Sequence, residues 1–138
     1  MKKGVKIILI AILFFLILWF LIRLVLPREI DDVSPEISCE KNYLKKSDIL
    51  WIIPMLNNKS ISENQNWCKE ILSLNKTLGM HGIKHTYREF KIENISQEEL
   101  DQGKLEFEKC FGFKPEIFKP PYLRINKENR ILINKNDL

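Results

Sequence analysis

"DILWIIPMLNNKSISENQNWCKEILSLNKTLGMHGIKH", residues 48–85, holds the change of rhythm that decides the fold. It opens on residues 48–56, a short apolar run rich in Ile and Trp with Pro54 near its end, which is the pattern of a buried strand. "NNKS" follows as a loop. Ser62 and Gln65 then fit a capping box, and Trp67, Ile71, Leu74 and Leu78 recur at helical spacing, so the segment predicts a helix that Gly79 closes. Residues 80–83 are apolar again and predict the next strand, which carries His81 and leads to His85. The chain has no other histidine.

The alternation continues downstream. Ser96 and Glu99 form a second capping box, Leu100, Phe107 and Phe111 give the following helix its apolar stripe, and Gly112 suits its C-terminal cap. Residues 116–119 offer another short strand, halted by Pro120 and Pro121. In the tail, "NKENRILINKNDL", the first half has the pattern of a helix opening and the second half that of a strand. Strands alternating with helices predict an α/β chain with a parallel sheet. Such folds carry their chemistry at the carboxyl ends of the strands.

The amino-terminal segment is of another kind. Residues 5–26, "VKIILIAILFFLILWFLIRLVL", are apolar on every face except for Lys6 and Arg23 near the ends. A bilayer core needs roughly 20 such residues, and basic side chains at the ends can reach the headgroups. The residues around Leu24, Val25 and Leu26 are bulky, without the small-residue site of a signal peptidase, so an uncleaved anchor is expected. Lys2, Lys3, Lys6 and the free amine lead the span, which favours a cytoplasmic amino terminus and an extracytoplasmic domain on a single-pass protein of the cell membrane. The expected division is therefore an anchor, 1–26, and one domain, 27–138.

That division settles the charge. The four basic residues of 1–26 account for the whole formal +4, leaving 18 basic against 18 acidic side chains in 27–138. A near-neutral domain has no basic footprint for nucleic acid, and that class drops out. Cys39, Cys68 and Cys110 make an odd count without a CxxC pair. They read as buried thiols, with one disulfide as the alternative and its pairing open.

Three strand ends hold the unusual residues. Asp31 and Asp32 end the first candidate strand, His81 and His85 lie at the end of the strand after the Trp67 helix, and the Pro120–Pro121 step ends the strand after the Phe107 helix. Two imidazoles and one carboxylate make a ligand set that suits Zn²⁺ and tolerates other divalent ions. Three protein ligands leave a position open for water or substrate, as catalytic sites require. A second carboxylate beside the first is placed to take a proton from that water.

"IDDVSP", "HGIKH" and "GFKPEIFKPPY" resemble the first three motifs of the polysaccharide deacetylases with NodB homology, most closely a poorly characterised branch whose histidine motif begins His-Gly. The resemblance spans about residues 29–125. It implies a distorted (β/α) barrel and hydrolysis of the acetyl group of an N-acetylated or O-acetylated carbohydrate. By this resemblance Asp31 matches the catalytic base, and Asp32, His81 and His85 match the metal ligands. The backbone N–H of Tyr122 matches an oxyanion donor.

The chain departs from that pattern in two ways. Lys119 stands where the family usually has an arginine that orients the catalytic base, which keeps the charge but not the two-pronged fork. Arg124 is the candidate substitute. No histidine follows His85 to match the family's general acid, and 27–138 correspond to about the first four β/α units of a barrel that typically needs ~200 residues or more. The expectation is a partial, carboxyl-terminally truncated barrel whose open strand edges a second chain or a second copy would cover. The function expected is a membrane-anchored, metal-dependent carbohydrate deacetylase. The alternative is a catalytically incomplete remnant or module that binds metal or carbohydrate without turnover.

Overall fold

The computed structural model describes residues 3–138, so Met1 and Lys2, part of the basic flank invoked above, lie outside the described residues. Helix α1 (Lys3–Val25) exposes apolar side chains on all sides, and its span is not buried by any of the described residues. Its most apolar 18-residue stretch has a mean hydropathy of 3.1, and Gly4–Val25 is long and apolar enough to cross a membrane. Pro27 follows at once, and a proline cannot extend the helical hydrogen-bond ladder.

Four strands then form one parallel sheet in chain order: β1 (Glu29–Val33), β2 (Ile49–Ile52), β3 (Thr77–His81) and β4 (Phe118–Lys119). Short helix α2 (Lys41–Lys46) links β1 to β2, and α3 (Gln65–Ser73) links β2 to β3. Between β3 and β4 lie α4 (Glu89–Ile92) and α5 (Gln97–Phe111), and α6 (Lys127–Lys135) follows β4. The pleat sorts the side chains by face. Leu50, Ile52 and Leu78 point toward α3 and α5, into a core with Ile71, Phe107 and Phe111. Met80 and Ile83 meet Phe90, Leu100 and Ile133 in a second cluster. The opposite face carries Glu29, Asp31, Trp51, Gly79, His81 and Lys119.

That face is concave. β1 and β4 are the two edges of the sheet, yet Lys119 on β4 reaches both Asp31 and Glu29 on β1. Only a sheet that curls toward closure brings its edges so near. The architecture is a partial barrel with its helices outside.

The helix with the second capping box forms as expected. Ser96 Oγ accepts from Glu99 N at 3.1 Å, Glu99 Oε2 accepts from Ser96 N at 2.9 Å, and Gly112 leaves the helix at φ 80°. The earlier helix differs. Its N-cap is Asn64, whose side chain accepts from Trp67 N, while Ser62 Oγ donates to buried Glu106 at 2.6 Å. It ends at Ser73, and Leu78 and Gly79 belong to β3, paired with Leu50 and Trp51. Asn75 takes the left-handed exit, at φ 51°, that Gly79 was expected to supply. Gly79 instead leaves room for the Trp51 ring, which lies where a Cβ would stand. The tail forms a helix over Lys127–Lys135 where its second half was expected to be strand, and Asn126 caps it by accepting from Asn129 N at 2.8 Å.

The cysteines correct another expectation. Cys68 on α3 and Cys110 on α5 are joined in a disulfide, their Cα atoms 5.4 Å apart, and Cys39 is free and exposed. The two helices pack side by side over the sheet and present these residues to each other, a placement no linear spacing reveals.

Candidate metal centre

The site starts from an irregularity in β1. Ile30 pairs with Leu50 and Val33 with Ile52, so β1 uses one more residue than β2 over the same interval. Such a bulge re-aims side chains. Here it sets Asp32 in the left-handed region at φ 59° and swings its carboxylate inward. Aspartate tolerates that conformation better than most residues.

Asp32 Oδ1 then faces both imidazoles, 3.3 Å from His81 Nε2 and 2.9 Å from His85 Nε2. His81 ends β3 and its side chain is 4% exposed. Its Nδ1 lies 2.9 Å from the Lys119 carbonyl oxygen. A carbonyl only accepts, so Nδ1 carries the proton, and Nε2 of the neutral ring keeps its lone pair for the site. Burial pushes the His81 pKa below its usual value, against the Lys119 carbonyl and the nearby Asp31, which favours the neutral ring.

His85 arrives by a turn that needs two left-handed residues, Gly82 at φ 67° and His85 itself at φ 57°. A Cβ at Gly82 would meet Glu89 Oε2 and Pro121 Cγ, each at 2.6 Å, which is why the residue between the two site loops is glycine. Glu89 holds the turn from beneath. Its buried carboxylate accepts from three consecutive backbone N–H groups, those of Ile83, Lys84 and His85, at 3.1, 2.8 and 3.2 Å. Burial pushes its pKa up, and the three donors oppose that shift.

Asp32, His81 and His85 each offer a ligand atom, and these atoms all lie within 4.8 Å of one another. Two imidazole nitrogens, one with its tautomer fixed from behind, and one carboxylate oxygen form a donor set that fits a divalent ion. The structure thus brings the three sequence-selected ligand candidates together.

Asp31 takes a different partner. Lys119 Nζ donates to Asp31 Oδ1 at 2.7 Å and to Glu29 Oε2 at 3.0 Å. Glu29 Oε2 also accepts from Trp51 Nε1 at 2.9 Å, and the Lys119 ammonium lies 5.3 Å from the Trp51 ring centre. Burial lowers the Lys119 pKa, but the two carboxylates outweigh it and raise the value overall. Lys119, not Arg124, therefore holds Asp31. Tyr122 sits in the turn Pro121–Leu123 at φ 57°, its ring half-exposed and 5.5 Å from that of His85. His85 also lines a cavity of about 240 Å³ whose wall includes Asn57, Asn58, Lys84 and Thr86.

Glu89, Glu29 and Trp51 escaped the sequence reading. "HTYREF" looks like an exposed polar turn, and only the fold shows its glutamate to be 2% exposed. Gly79 opposite a tryptophan on the neighbouring strand was the one available hint of a close approach.

No family model and no curated protein matches the sequence. Solved structures do match. A wild-type CE4 family pseudoenzyme from Bacillus anthracis aligns with a TM-score of 0.57 and 19% identity, over 80% of this chain and 40% of its own. A mutant of that protein with restored enzymatic activity gives 0.52 and 19%, over 65% and 32%. A deacetylase solved with its substrate gives 0.52 and 16%, over 77% and 55%. This chain spans between about a third and just over half of the length of these structures. What they share with it, at such identity, is the fold: the described residues form a partial barrel with the α/β fold of the CE4 family.

Proposed function

We propose that this chain is a membrane-anchored, metal-dependent deacetylase acting by hydrolysis on an N-acetylated or O-acetylated carbohydrate. The observation that carries the reading is the convergence of Asp32, His81 and His85 at the carboxyl end of the sheet, the only such donor group among the described residues. In this reading those three side chains hold a divalent ion, Zn²⁺ by donor type. Bound there, the ion supplies Lewis acidity, which polarises an acyl carbonyl and acidifies a water. Asp31 accepts the proton of the attacking water, and Lys119 keeps its carboxylate turned to the site. The Tyr122 backbone N–H is the candidate donor to the developing oxyanion. The polar wall beside His85 offers amide and hydroxyl partners to sugar hydroxyls.

The anchor belongs to the proposal too. α1 is the span, residues 27–138 are the domain, and the basic flank favours an extracytoplasmic domain. The Cys68–Cys110 disulfide supports that side, because such bonds persist in oxidising compartments. A second chain or a second copy of this one would cover the open edge of β4.

A second reading rests on the likeness to a CE4 family pseudoenzyme and on composition: both histidines of this chain stand in the metal set, leaving no imidazole to protonate the leaving group. In that case the chain binds metal and carbohydrate without turnover. The test uses the full chain in neutral detergent, with zinc calorimetry beside acetate release from N-acetylglucosamine oligomers. One zinc per chain, lost when His81→Ala and His85→Ala are combined, with acetate released by the wild type, is the expected result. Undiminished binding by the double variant sinks the ligand assignment. Zinc binding without acetate selects the second reading.

A further inference from the structure

We infer that the chain carries a subsite for an oxyanion, a carboxylate or phosphodiester group on the glycan, next to the metal centre. It is a cavity of about 340 Å³ walled by Lys91, Arg124 and Arg130, with Leu123 and Ile125. The assignment of the ligand as a glycan rests on the function proposed above, whereas the anion site itself stands on its own residues.

What distinguishes the cavity is that three cations without an acidic partner share one wall. Of the 18 cations in the formally neutral domain, Arg28, Lys41, Lys59, Lys104, Lys109 and Lys119 have an acid within salt-bridge distance. Lys91, Arg124 and Arg130 have none among the described residues, and no acidic side chain lines the cavity. Three like charges gathered without a counter-ion repel one another, and a bound anion removes that cost. Two of them are guanidiniums, whose planar fork matches carboxylate and phosphate oxygens.

Its position joins it to the site. Leu123 in the cavity wall follows Tyr122 in the same turn, and the Tyr122 ring stands beside His85. Lys91 lies on α4 just after β3, Arg124 just after the turn that follows β4, and Arg130 near the start of α6. All three therefore sit at the carboxyl end of the sheet. A glycan seated at His85 and passing over the Tyr122–Leu123 turn reaches them within a few sugar units. The alternative source of the same chemistry, an anionic lipid headgroup, is disfavoured by topology. α1 enters β1 through Leu26–Arg28 at the amino ends of the four parallel strands, so the bilayer lies on the other side of the sheet.

The test is calorimetry of the full chain in neutral detergent with tetragalacturonate against tetra-N-acetylchitotetraose, and with the Arg124→Ala/Arg130→Ala double variant. The expected result is uronate binding that weakens about tenfold or more in the variant and falls as salt is raised. Both arginines are exposed, so the thermal midpoint and zinc binding stay at wild-type values; Arg124→Glu, which reverses one charge, weakens binding further. Equal uronate affinity in wild type and variant overturns the subsite. So does a neutral oligomer that binds as well as the uronate. Reconstitution into nanodiscs of phosphatidylglycerol against phosphatidylcholine separates the sources. Uronate binding lost only in the anionic discs assigns the cavity to lipid and overturns the glycan reading. Acetate release enters none of these readouts, so failure of the deacetylase proposal is seen separately.

Discussion

Helix α5 runs unbroken from Gln97 to Phe111, and glycine takes the left-handed position that ends it. At the carboxyl rim of the sheet Gly82 is left-handed, but so are the non-glycine residues Asp32, His85, Tyr122 and Leu123. Each costs of order 1 kcal/mol or more, and the surroundings must hold it in place. The outer layer consists of elements whose local preferences agree with the packing. The rim consists of side chains kept in place against local preference, by the bulge at Asp32, the Glu89 cradle under His85 and the Lys119 clamp on Asp31. Stability and site geometry are thus lodged in different residues, and substitutions should separate them.

The largest effect belongs to the outer layer. Cys68 and Cys110 close a loop across 42 positions, and the chain-entropy cost they remove from the unfolded state is about 4 kcal/mol. Replacing both by alanine is expected to lower unfolding free energy by that order in urea titrations. Zinc affinity, measured where the variant is still folded, should stay within about twofold, since neither helix touches a ligand. A parallel loss of affinity would show that rim and layer are one unit and break the comparison.

Glu89→Gln addresses the rim. The amide keeps one oxygen but turns an NH₂ toward backbone N–H groups that need acceptors. Stability should fall by about 2 kcal/mol. Zinc affinity should drop about tenfold or more, as for other residues that orient a ligand from behind, because His85 loses the cradle that fixes its φ of 57°. Were stability to fall with affinity unchanged, Glu89 would serve the fold and not the site.

How far these regions can be read from residues alone follows the same division. Leu100, Phe107 and Phe111 announce α5 because spacing, capping box and terminal glycine all agree. Leu78 misled because it stands four residues after Leu74, as a helix stripe requires, and is also the strand partner of Leu50. Only the left-handed Asn75 breaks the tie, and asparagine announces that conformation weakly. At the rim, His81 and His85 were legible through scarcity. The contact of Lys119 with Asp31 depends on the curl of a whole sheet, 88 positions apart in the chain, and the burial of Glu89 depends on the Ile83–His85 turn closing over its carboxylate. The disulfide was illegible for the same reason: it is a property of two helices meeting.

The smallest effect contrasts two aspartates at opposite ends of β1 and β2. Asp32 at the carboxyl rim is held by a strained backbone. Asp48 at the amino end is held by a cation: Arg28 donates to it from Nε at 3.1 Å, from Nη2 at 3.1 Å and from its backbone N at 2.8 Å. The side-chain bond from Arg28, then its backbone N–H, draws the Asp48 pKa down to about 2. A carboxyl depressed on folding contributes stability that is complete above its unfolded pKa, about 3.9, and is lost as pH falls through the folded value. The pair is fully exposed, so the contribution is small and salt-sensitive. Asp48→Asn should therefore lower the urea midpoint slightly near neutral pH, and the two midpoints should converge between about pH 4 and pH 2. A gap that persists at pH 2 would mean that the neutral contacts of Asp48 with the Arg28 backbone, not the ion pair, fasten β1 to β2 where the chain leaves α1.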